Sequence, residues 1–226
     1  MKSSRTVLAS LAFCFTILGA GSLFASSPHK WYGGFDVGQT DHEFSPRYTV
    51  PGAPDSTFIN ESDGTQFGLF VGHDWALYDR FSLGVQGRVE FNDAEWTLSI
   101  PEPASFKYEI PTLYSIGLLS RFELSPRIVL FAELAAVQAE VNEKKFGSPD
   151  SNYDVSETAD GVRYGGGLAF PLDDIIDART SLVIAYRVVD LSSFSYVSRD
   201  SAGMQVERIT DSPETASWSI GLLRRF

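Results

Sequence analysis

Residues that could carry acid–base or nucleophilic chemistry are few in this sequence. There are three histidines, and His42 lies between Asp41 and Glu43. An acyl hydrolase needs a serine held by a histidine and a carboxylate, and no His-x-Ser spacing occurs. His42 with these acids and Asp55 could bind a metal ion, but acidic loops are usually only solvated. We therefore predict no catalytic, cofactor-binding or metal-binding residue, and no enzymatic activity.

A different set of charged residues lies inside segments that are otherwise apolar. In residues 81–91, Phe81 and Leu83 share one face of an alternating pattern, whereas Arg88 and Glu90 lie on the other. Such alternation predicts β-strands. Buried charges are costly without partners, so charges on these faces should pair with each other. The predicted internal network consists of Arg88, Glu90, Glu133, Arg163 and Arg187.

The alternation predicts eight strands along the chain. They lie near residues 31–38, 65–75, 81–91, 108–122, 128–141, 161–170, 179–191 and 216–226. The segment 128–141 is the least clear, because its alanine, glutamate and leucine residues also favour a helix. Pro111 weakens the start of the fourth strand and is expected to mark a bulge. We place Ile110 on the apolar face of that strand, in phase with Tyr114.

The connections between these strands alternate in length. Short turns span residues 76–80, 123–127 and 171–178, and long polar connections span 40–64, 92–107, 142–160 and 192–215. An even number of antiparallel strands with short turns at one end and long loops at the other is typical of outer-membrane barrels. Exposed loops on a rigid barrel often carry function. The acidic loops 41–63 and 144–157 are therefore the predicted contact surfaces.

The apolar faces could instead line a soluble barrel that encloses a ligand. Three features favour lipid on the apolar side. The opposite faces carry charge in mid-strand, the apolar stretches have the roughly nine to eleven residues that a tilted transmembrane strand needs, and aromatic residues cluster near strand ends as interfacial girdles do. At the short-turn end this girdle comprises Trp31, Trp75, Tyr78, Phe81, Phe122, Phe170 and Phe226.

The first 25 residues predict a secretory signal peptide, which leaves residues 26–226 as the barrel domain. A basic start precedes an apolar run, and Leu23-Phe24-Ala25 resembles a cleavage site. An uncleaved membrane helix is the alternative. The only cysteine, Cys14, lies in this segment, so no disulfide is expected in the barrel. Lys2 and Arg5 are the segment's only charges, so its removal changes the net charge from −11 to −13. A chain this acidic is a poor nucleic-acid binder.

The end of the sequence has the pattern of a final barrel strand. Apolar residues alternate and the last residue is phenylalanine: Trp218, Ile220, Leu222 and Phe226. This resembles the C-terminal strand of bacterial outer-membrane proteins, which the barrel-assembly machinery recognises, although Arg224 departs from the pattern. Segments 31–38, 68–73 and 182–191 resemble the small barrels grouped around the OmpA membrane domain, OmpX, OmpW and the opacity proteins. The resemblance implies an integral outer-membrane protein with membrane lipids and the assembly machinery as partners.

The predicted fold class is therefore all-β, an eight-stranded antiparallel up-and-down transmembrane β-barrel. Because an eight-stranded barrel usually has its interior filled by side chains, we expect a largely plugged lumen. The predicted function is a structural or interaction barrel whose long loops contact an extracellular or host ligand. The alternatives are a narrow porin-like channel or an OmpW-like carrier for small solutes, and, more remotely, a lipid-modifying enzyme at the rim.

Overall fold

The computed structural model describes residues 30–45, 47–49, 55–57, 60–99, 105–146, 153–172, 175–176, 179–199 and 205–226. The predicted signal peptide and its cleavage site lie outside these residues and stay predictions. Within the described ranges, no helix is long and apolar enough to cross a membrane.

The described residues form thirteen strands. In chain order they are β1 (Lys30–Phe44), β2 (Arg47–Thr49), β3 (Ser56–Thr57), β4 (Asn60–Tyr78), β5 (Phe81–Asn92), β6 (Glu95–Ser99), β7 (Ser105–Ser125), β8 (Ile128–Phe146), β9 (Tyr153–Pro171), β10 (Thr180–Leu191), β11 (Phe194–Arg199), β12 (Gln205–Asp211) and β13 (Glu214–Arg225). The segment 128–141 is strand, within β8. There Glu133 is buried and the adjacent Leu134 is 58% exposed, as the two-residue period of a strand requires.

Eight of these strands close into a ring. Each pairs antiparallel with the next in the order β1, β4, β5, β7, β8, β9, β10 and β13, and β13 pairs back with β1. The closing register joins Tyr32 to Arg225 and Glu43 to Glu214. Every strand of the ring thus has two hydrogen-bonded neighbours, which is what a sheet in lipid needs. The eight-stranded antiparallel barrel predicted from the sequence is confirmed.

The two ends of the barrel differ in their connections. The end with the short turns at residues 79–80 and 126–127, where β9 also ends and β10 begins, is called the turn end, and the opposite end is the loop end. At the loop end the expected long loops are largely strand, since β8 continues to Phe146 and β9 begins at Tyr153. A separate four-stranded sheet adds β11, β12, β2 and β3. Exposed outward positions of the extended barrel strands, such as Asp41, Glu43 and Asp160, are acidic, so the apolar alternation that predicts a strand in lipid ends before them.

A bulge at Pro111 changes the orientation of the residues before it. The pairing of β7 with β8 shifts between Glu109 and Thr112, where proline cannot donate a ladder hydrogen bond. Before the shift Ile110 points inward and is fully buried, and beyond it Tyr114 points outward and is 54% exposed. The prediction that Ile110 and Tyr114 share the outward face is therefore wrong, because the bulge inverts the alternation.

The outward face of the barrel is a continuous apolar band. Its exposed side chains include Phe35, Val37, Phe67, Leu69, Val71, Ile116, Leu118, Leu130, Leu134 and Ile220. Soluble monomers rarely expose so large an apolar surface to water, so the band is a lipid-facing surface. Val188 is an exception, buried although it lies in phase with Ile184. Toward the loop end the exposed outward positions turn acidic, at Asp41, Asp63, Glu140, Asp160, Asp190 and Glu214.

Candidate functional site in the barrel lumen

Six charged side chains form a closed ring of ion pairs across the lumen, called the lumen ring below. Acids and arginines alternate around it in the order Asp36, Arg88, Glu90, Arg163, Glu133 and Arg187. None of the six is more than 5% exposed. Three guanidinium groups and three carboxylates cancel, so the ring has no net formal charge. The structure thus brings together all five residues of the predicted network.

Arg88 holds two acids at once. Its Nη1 donates a hydrogen bond to Asp36 Oδ2 at 2.8 Å and its Nη2 donates to Asp36 Oδ1 at 2.5 Å. On the other side, Arg88 Nε lies 2.9 Å from Glu90 Oε1. Two parallel hydrogen bonds between a guanidinium and a carboxylate are among the stronger polar contacts in proteins. Arg88 therefore fixes the relative position of β1 and β5.

Arg163 joins the two glutamates of the lumen ring. It contacts Glu90, and its Nη1 lies 3.6 Å from Glu133 Oε1. The same Nη1 donates a hydrogen bond to Ser115 Oγ at 2.7 Å. A buried ion pair is tolerated when further hydrogen bonds satisfy the remaining polar atoms, and Ser115 supplies one of them.

Arg187 closes the lumen ring between Glu133 and Asp36. Its Nε donates to Glu133 Oε2 at 3.1 Å, and its Nη1 lies 3.4 Å from Asp36 Oδ2. Ser219 Oγ accepts a hydrogen bond from Arg187 Nη1 at 2.8 Å. With Ser115 and Ser219 included, the polar layer draws on β1, β5, β7, β8, β9, β10 and β13.

The remaining barrel strand, β4, adds no side chain to the polar layer and instead leaves room for it at a glycine. Gly68 lies on β4 between β1 and β5, and a Cβ at this position would collide with the guanidinium of Arg88 and the carboxylate of Asp36. The missing side chain therefore allows Arg88 and Asp36 to meet across β4. Gly87, on the outward face, shows the contrast: a Cβ there would meet nothing within 4 Å.

Asp36 is the member of the lumen ring that sequence reasoning missed. It lies on the polar face of the first predicted strand, but it was not assigned to the network. The five predicted residues comprise three arginines and two glutamates, which leaves one excess positive charge. Because an unpaired buried charge is costly, that excess was the signal that an acid was missing.

Two apolar clusters fill the lumen on either side of the lumen ring. The cluster toward the turn end consists of Tyr32, Phe70, Leu119, Val129, Phe131, Ala169, Val183, Ala185 and Leu223. The cluster toward the loop end consists of Phe44, Tyr108, Ile110, Leu113, Val137, Ala139, Val141, Ala159, Val189 and Leu191. A cavity of about 20 Å³ remains beside Phe70 and Arg187, enough for one water molecule. The polar lumen expected from the sequence is thus interrupted by an apolar cluster on each side of the lumen ring.

A second ion pair lies nearer the turn end. Arg121 contacts Asp74, and the guanidinium carbon of Arg121 lies 4.2 Å from the centroid of the Tyr32 ring. The Tyr32 hydroxyl donates a hydrogen bond to Gln86 Oε1 at 3.3 Å. Asp74 and Arg121 also line a cavity of about 130 Å³ at the turn end. This pair was not part of the predicted network.

The predicted girdle residues all lie at the turn end of the barrel. Trp31 and Phe122 are each 44% exposed, and Tyr78 and Phe226 are 78% and 72% exposed. The others, Trp75, Phe81 and Phe170, are half-buried. The ring of His73 fits edge-on between Trp31 and Trp75, with centroids 4.9 and 4.7 Å away.

The alternating residues of the last strand face outward in the structure. Trp218 is 60% and Ile220 is 49% exposed, and Leu222 is half-buried in phase with them. Phe226 follows in the same row and donates its backbone N–H to Trp31 O. Recognition of this row by the assembly machinery stays a prediction.

His42 does not begin a loop, as the sequence suggested, but lies inside the barrel near the loop end. Strand β1 continues to Phe44, so alternation turns His42 inward while Asp41 and Glu43 face outward. His42 Nδ1 lies 2.8 Å from Thr215 Oγ1, and burial lowers the pKa of His42 to about 4. The acids considered for a metal site therefore do not converge on it. Among the residues that the structure describes, no group of three or more metal-binding side chains is arranged to hold an ion.

Comparison with known proteins agrees with this architecture. The family described as outer membrane protein beta-barrel domain matches residues 8–226. The outer membrane protease OmpT of Escherichia coli is 8% identical, with 90% of this chain and 99% of that chain covered and a TM-score of 0.56. The outer membrane protein OprG of Pseudomonas aeruginosa is 13% identical, with 88% and 95% covered and a TM-score of 0.52. These identities establish likeness of fold alone. No curated protein matches the sequence.

Proposed function

Because this chain belongs to the outer membrane protein β-barrel domain family, and is thus an integral outer-membrane protein, we propose that it is an interaction barrel with a closed lumen. Its contact surface is the strand-rich loop end, which in barrels of this class faces the cell exterior. The observation that carries the proposal is the lumen ring, whose six buried charged side chains lie across the interior between two apolar clusters.

The lumen ring supports a closed lumen because its ion pairs are continuous and its six side chains are buried. A solute would have to separate pairs such as Arg88 and Asp36, which are buried between two apolar clusters. Breaking a buried ion pair costs on the order of 3–5 kcal/mol. The cavity of about 20 Å³ beside the ring holds one water molecule at most. These features favour a plug over the narrow channel or carrier.

The loop end offers a surface built from strands for a partner. The small sheet of β11, β12, β2 and β3 lies at this end, and Arg47 Nε on β2 donates a hydrogen bond at 2.8 Å to Oδ2 of Asp55, the residue before β3. Side chains carried by strands are held more precisely than those on irregular loops. An extracellular or host ligand would meet this sheet together with the hairpin of β8 and β9.

A catalytic role is not part of the proposal. The ring nitrogens of His42 face the hydroxyls of Thr215 and Thr40 rather than a serine and a carboxylate. OmpT is a protease, but likeness of fold alone transfers no active-site residue, because unrelated functions share folds.

Conductance across a planar bilayer tests the closed lumen. The refolded parent should show no discrete conductance steps, and Arg88→Ala should open steps by breaking the lumen ring. Arg208→Ala, which removes the same charge from the exposed small sheet, is the matched control and should stay silent. Steps in the parent that Arg88→Ala leaves unchanged would favour the channel.

Deletion of the loop-end elements tests the contact surface. Cells that display the parent would be compared with cells that display a variant lacking residues 194–211, which contain β11 and β12. Binding to host cells or matrix should fall while the heat-modifiable barrel band on a gel persists. If this deletion and a deletion of residues 142–157 both leave binding unchanged, the interaction role is wrong.

A further inference from the structure

Three short junctions join the small sheet of β11, β12, β2 and β3 to the barrel. β1 leads into β2, β12 into β13 and β10 into β11, each with two residues between the strand ends. The link from β3 to β4 lies outside the described residues. Because β10, β13 and β1 are neighbours in the barrel, the three junctions lie side by side.

Two of the junctions interrupt the strand pairing at prolines. The ladder of β1 with β13 stops at Glu43 and Glu214, and the ladder of β2 with β12 resumes in the same register. Between the two ladders, residues 45–46 and 212–213 both read Ser-Pro. Proline cannot donate a ladder hydrogen bond, so the sheet is weakened at this level.

The third junction, between β10 and β11, contains an extra residue. Asp190 pairs with Glu214 and Phe194 pairs with Asp211, so the chain from Asp190 to Phe194 is one residue longer than the chain opposite. An extra residue disrupts the ladder locally, as in a β-bulge. A few irregular residues at the ends of elements are where hinges occur, and all three junctions have them at the same level.

Asp211 connects the two Ser-Pro junctions through one carboxyl oxygen. Asp211 Oδ1 accepts hydrogen bonds from Ser45 N at 3.1 Å and from Ser212 N at 2.8 Å. The residue is 1% exposed, and its Oδ2 is buried without a hydrogen-bond partner among the described residues. Asp211 therefore holds both junctions in place while one of its oxygens stays unsatisfied.

The charge of Asp211 decides how favourable this arrangement is. In the protonated acid, Oδ1 still accepts both hydrogen bonds and Oδ2 carries the proton. In the carboxylate, the unsatisfied Oδ2 shares a buried negative charge, which is more costly to keep from water. Burial accordingly raises the pKa of Asp211 to about 6. Bending at the junctions would expose the carboxylate to water and remove this penalty.

Other titratable groups lie on the elements around Asp211. His42 on β1 is buried, and the buried Glu143 on β8 accepts a hydrogen bond from the Tyr108 hydroxyl. Phe194, which pairs with Asp211 on β11, carries no charge. The remaining charged residues at the junctions are exposed and screened by water: Glu43 on β1, Arg47 on β2, Asp190 on β10 and Glu214 on β13. The effect of His42 must therefore be separated from that of Asp211.

We propose that the small sheet is hinged at these three junctions and that protonation of Asp211 locks the hinge. The protonated form holds the sheet in the position described above, and the charged form lets it open more often as the pH rises. This motion belongs to the small sheet itself, whether or not the sheet contacts a ligand.

Hydrogen exchange of the refolded barrel in micelles, resolved by nuclear magnetic resonance, tests the hinge. The amides of Ser45 and Ser212 report its opening, because bending breaks their bonds to Asp211. Their protection, corrected for the intrinsic exchange rate, is compared between the parent and Asp211→Asn from pH 4 to 7. The asparagine keeps the acceptor and cannot become charged. Relative to this variant, the parent should lose up to about a hundredfold in protection as the pH rises, since the pKa changes from 3.8 to about 6.

Two controls separate the hinge from other effects. The contribution of His42 is present in both chains and cancels in the comparison. Asp190→Asn removes the same charge from an exposed acid beside the third junction and should keep the pH dependence of the parent. The amide of Phe226, which donates to Trp31 O at the turn end, should show no such change.

A distance measurement leaves Asp211 and the junctions unchanged, and it decides alone if Asp211→Asn does not refold. Spin labels at Ser195→Cys on β11 and Thr158→Cys on β9, both exposed positions, should show one distance at pH 4 and additional distances at pH 7.

Three results would overturn the proposal. The first is the same pH dependence of protection in the parent and in Asp211→Asn. The second is an equal loss of protection at Phe226, because the whole barrel would then open. The third is a single label distance from pH 4 to 7. None of these measurements uses a ligand, so the hinge and the proposed contact role can fail separately.

Discussion

Arg88 and Asp36 are joined by two hydrogen bonds across a strand that separates them. The bonds measure 2.8 and 2.5 Å and pass over Gly68 of β4. Arg88 lies on β5 and Asp36 on β1, which do not pair with each other. This contact therefore ties the barrel together through its interior, in addition to the backbone ladder around its wall.

Removal of Asp36 should strongly destabilise the barrel. Asp36→Ala leaves Arg88 and Arg187 with an uncompensated buried charge, and the free energy of unfolding should fall by about 3–5 kcal/mol. Urea unfolding in detergent micelles, followed by tryptophan fluorescence, measures this change. Asp190→Ala is the control, because Asp190 is an exposed acid on the outward face. It should change the free energy of unfolding by no more than about 0.5 kcal/mol, and an equal loss in both variants would contradict the lumen ring.

A methyl group at Gly68 should disturb the same contact. In Gly68→Ala the new Cβ would collide with Arg88 and Asp36, and overpacking of this kind costs about 1–3 kcal/mol. Gly87→Ala is the matched control on the adjacent strand, since its Cβ would meet nothing within 4 Å. The two unfolding midpoints in urea would be compared. The packing described here would be wrong if Gly87→Ala were the more damaging change.

His42 should make the loop end less stable as the pH falls. Burial lowers its pKa from 6.5 to about 4. Between these values the unfolded chain takes up a proton that the folded chain does not, so folding weakens as the pH falls from about 7 to 4. The effect approaches about 3 kcal/mol. His42→Gln removes this contribution, so between pH 4 and 6 the stability of the variant should fall with rising pH relative to that of the parent, as measured by unfolding at a series of pH values. An unchanged slope would contradict the burial of His42.

Asp211 should weaken folding as the pH rises, which is the opposite of the effect of His42. It is buried at the end of β12, where Asp211 Oδ1 accepts a hydrogen bond from Ser45 N at 3.1 Å. Burial raises its pKa from 3.8 to about 6. The folded chain therefore holds a proton that the unfolded chain has released, and folding weakens as the pH rises from about 4 to 6, by up to about 3 kcal/mol.

In the parent, the pH dependence of folding stability from His42 opposes the pH dependence from Asp211. Variants that remove one of the two groups should therefore reveal the contribution of the other. Asp211→Asn keeps an acceptor for Ser45 N and removes the titration. Its stability should therefore rise more steeply with pH between 4 and 6 than that of the parent, because the contribution of His42 is then unopposed. Chemical unfolding at pH 4, 5 and 6 measures this difference. A shallower rise than in the parent would show that Asp211 is not the buried acid.

Sequence reasoning located the barrel strands because a strand between lipid and a packed interior must alternate. Phe35 faces outward and Asp36 inward for that reason, and the same rule placed Glu133 opposite Leu134. Alternation misled the prediction where a strand is irregular or extends beyond the lipid. At Pro111 a bulge added a residue and turned Ile110 inward. Beyond the lipid band the outward face meets water, so the extension of β1 that buries His42 looked like a loop.

The sequence by itself determined which side chains enter the lumen, because alternation with a period of two is a local property of each strand. The sequence did not determine which of these side chains pair with each other, or whether every buried charge has a partner. Asp36 meets Arg88 only because β1 and β5 flank a glycine of β4, and it meets Arg187 only because the sheet closes. Pairing across a closed barrel depends on register and on the curvature of the whole sheet, and these are set when all eight strands are in place.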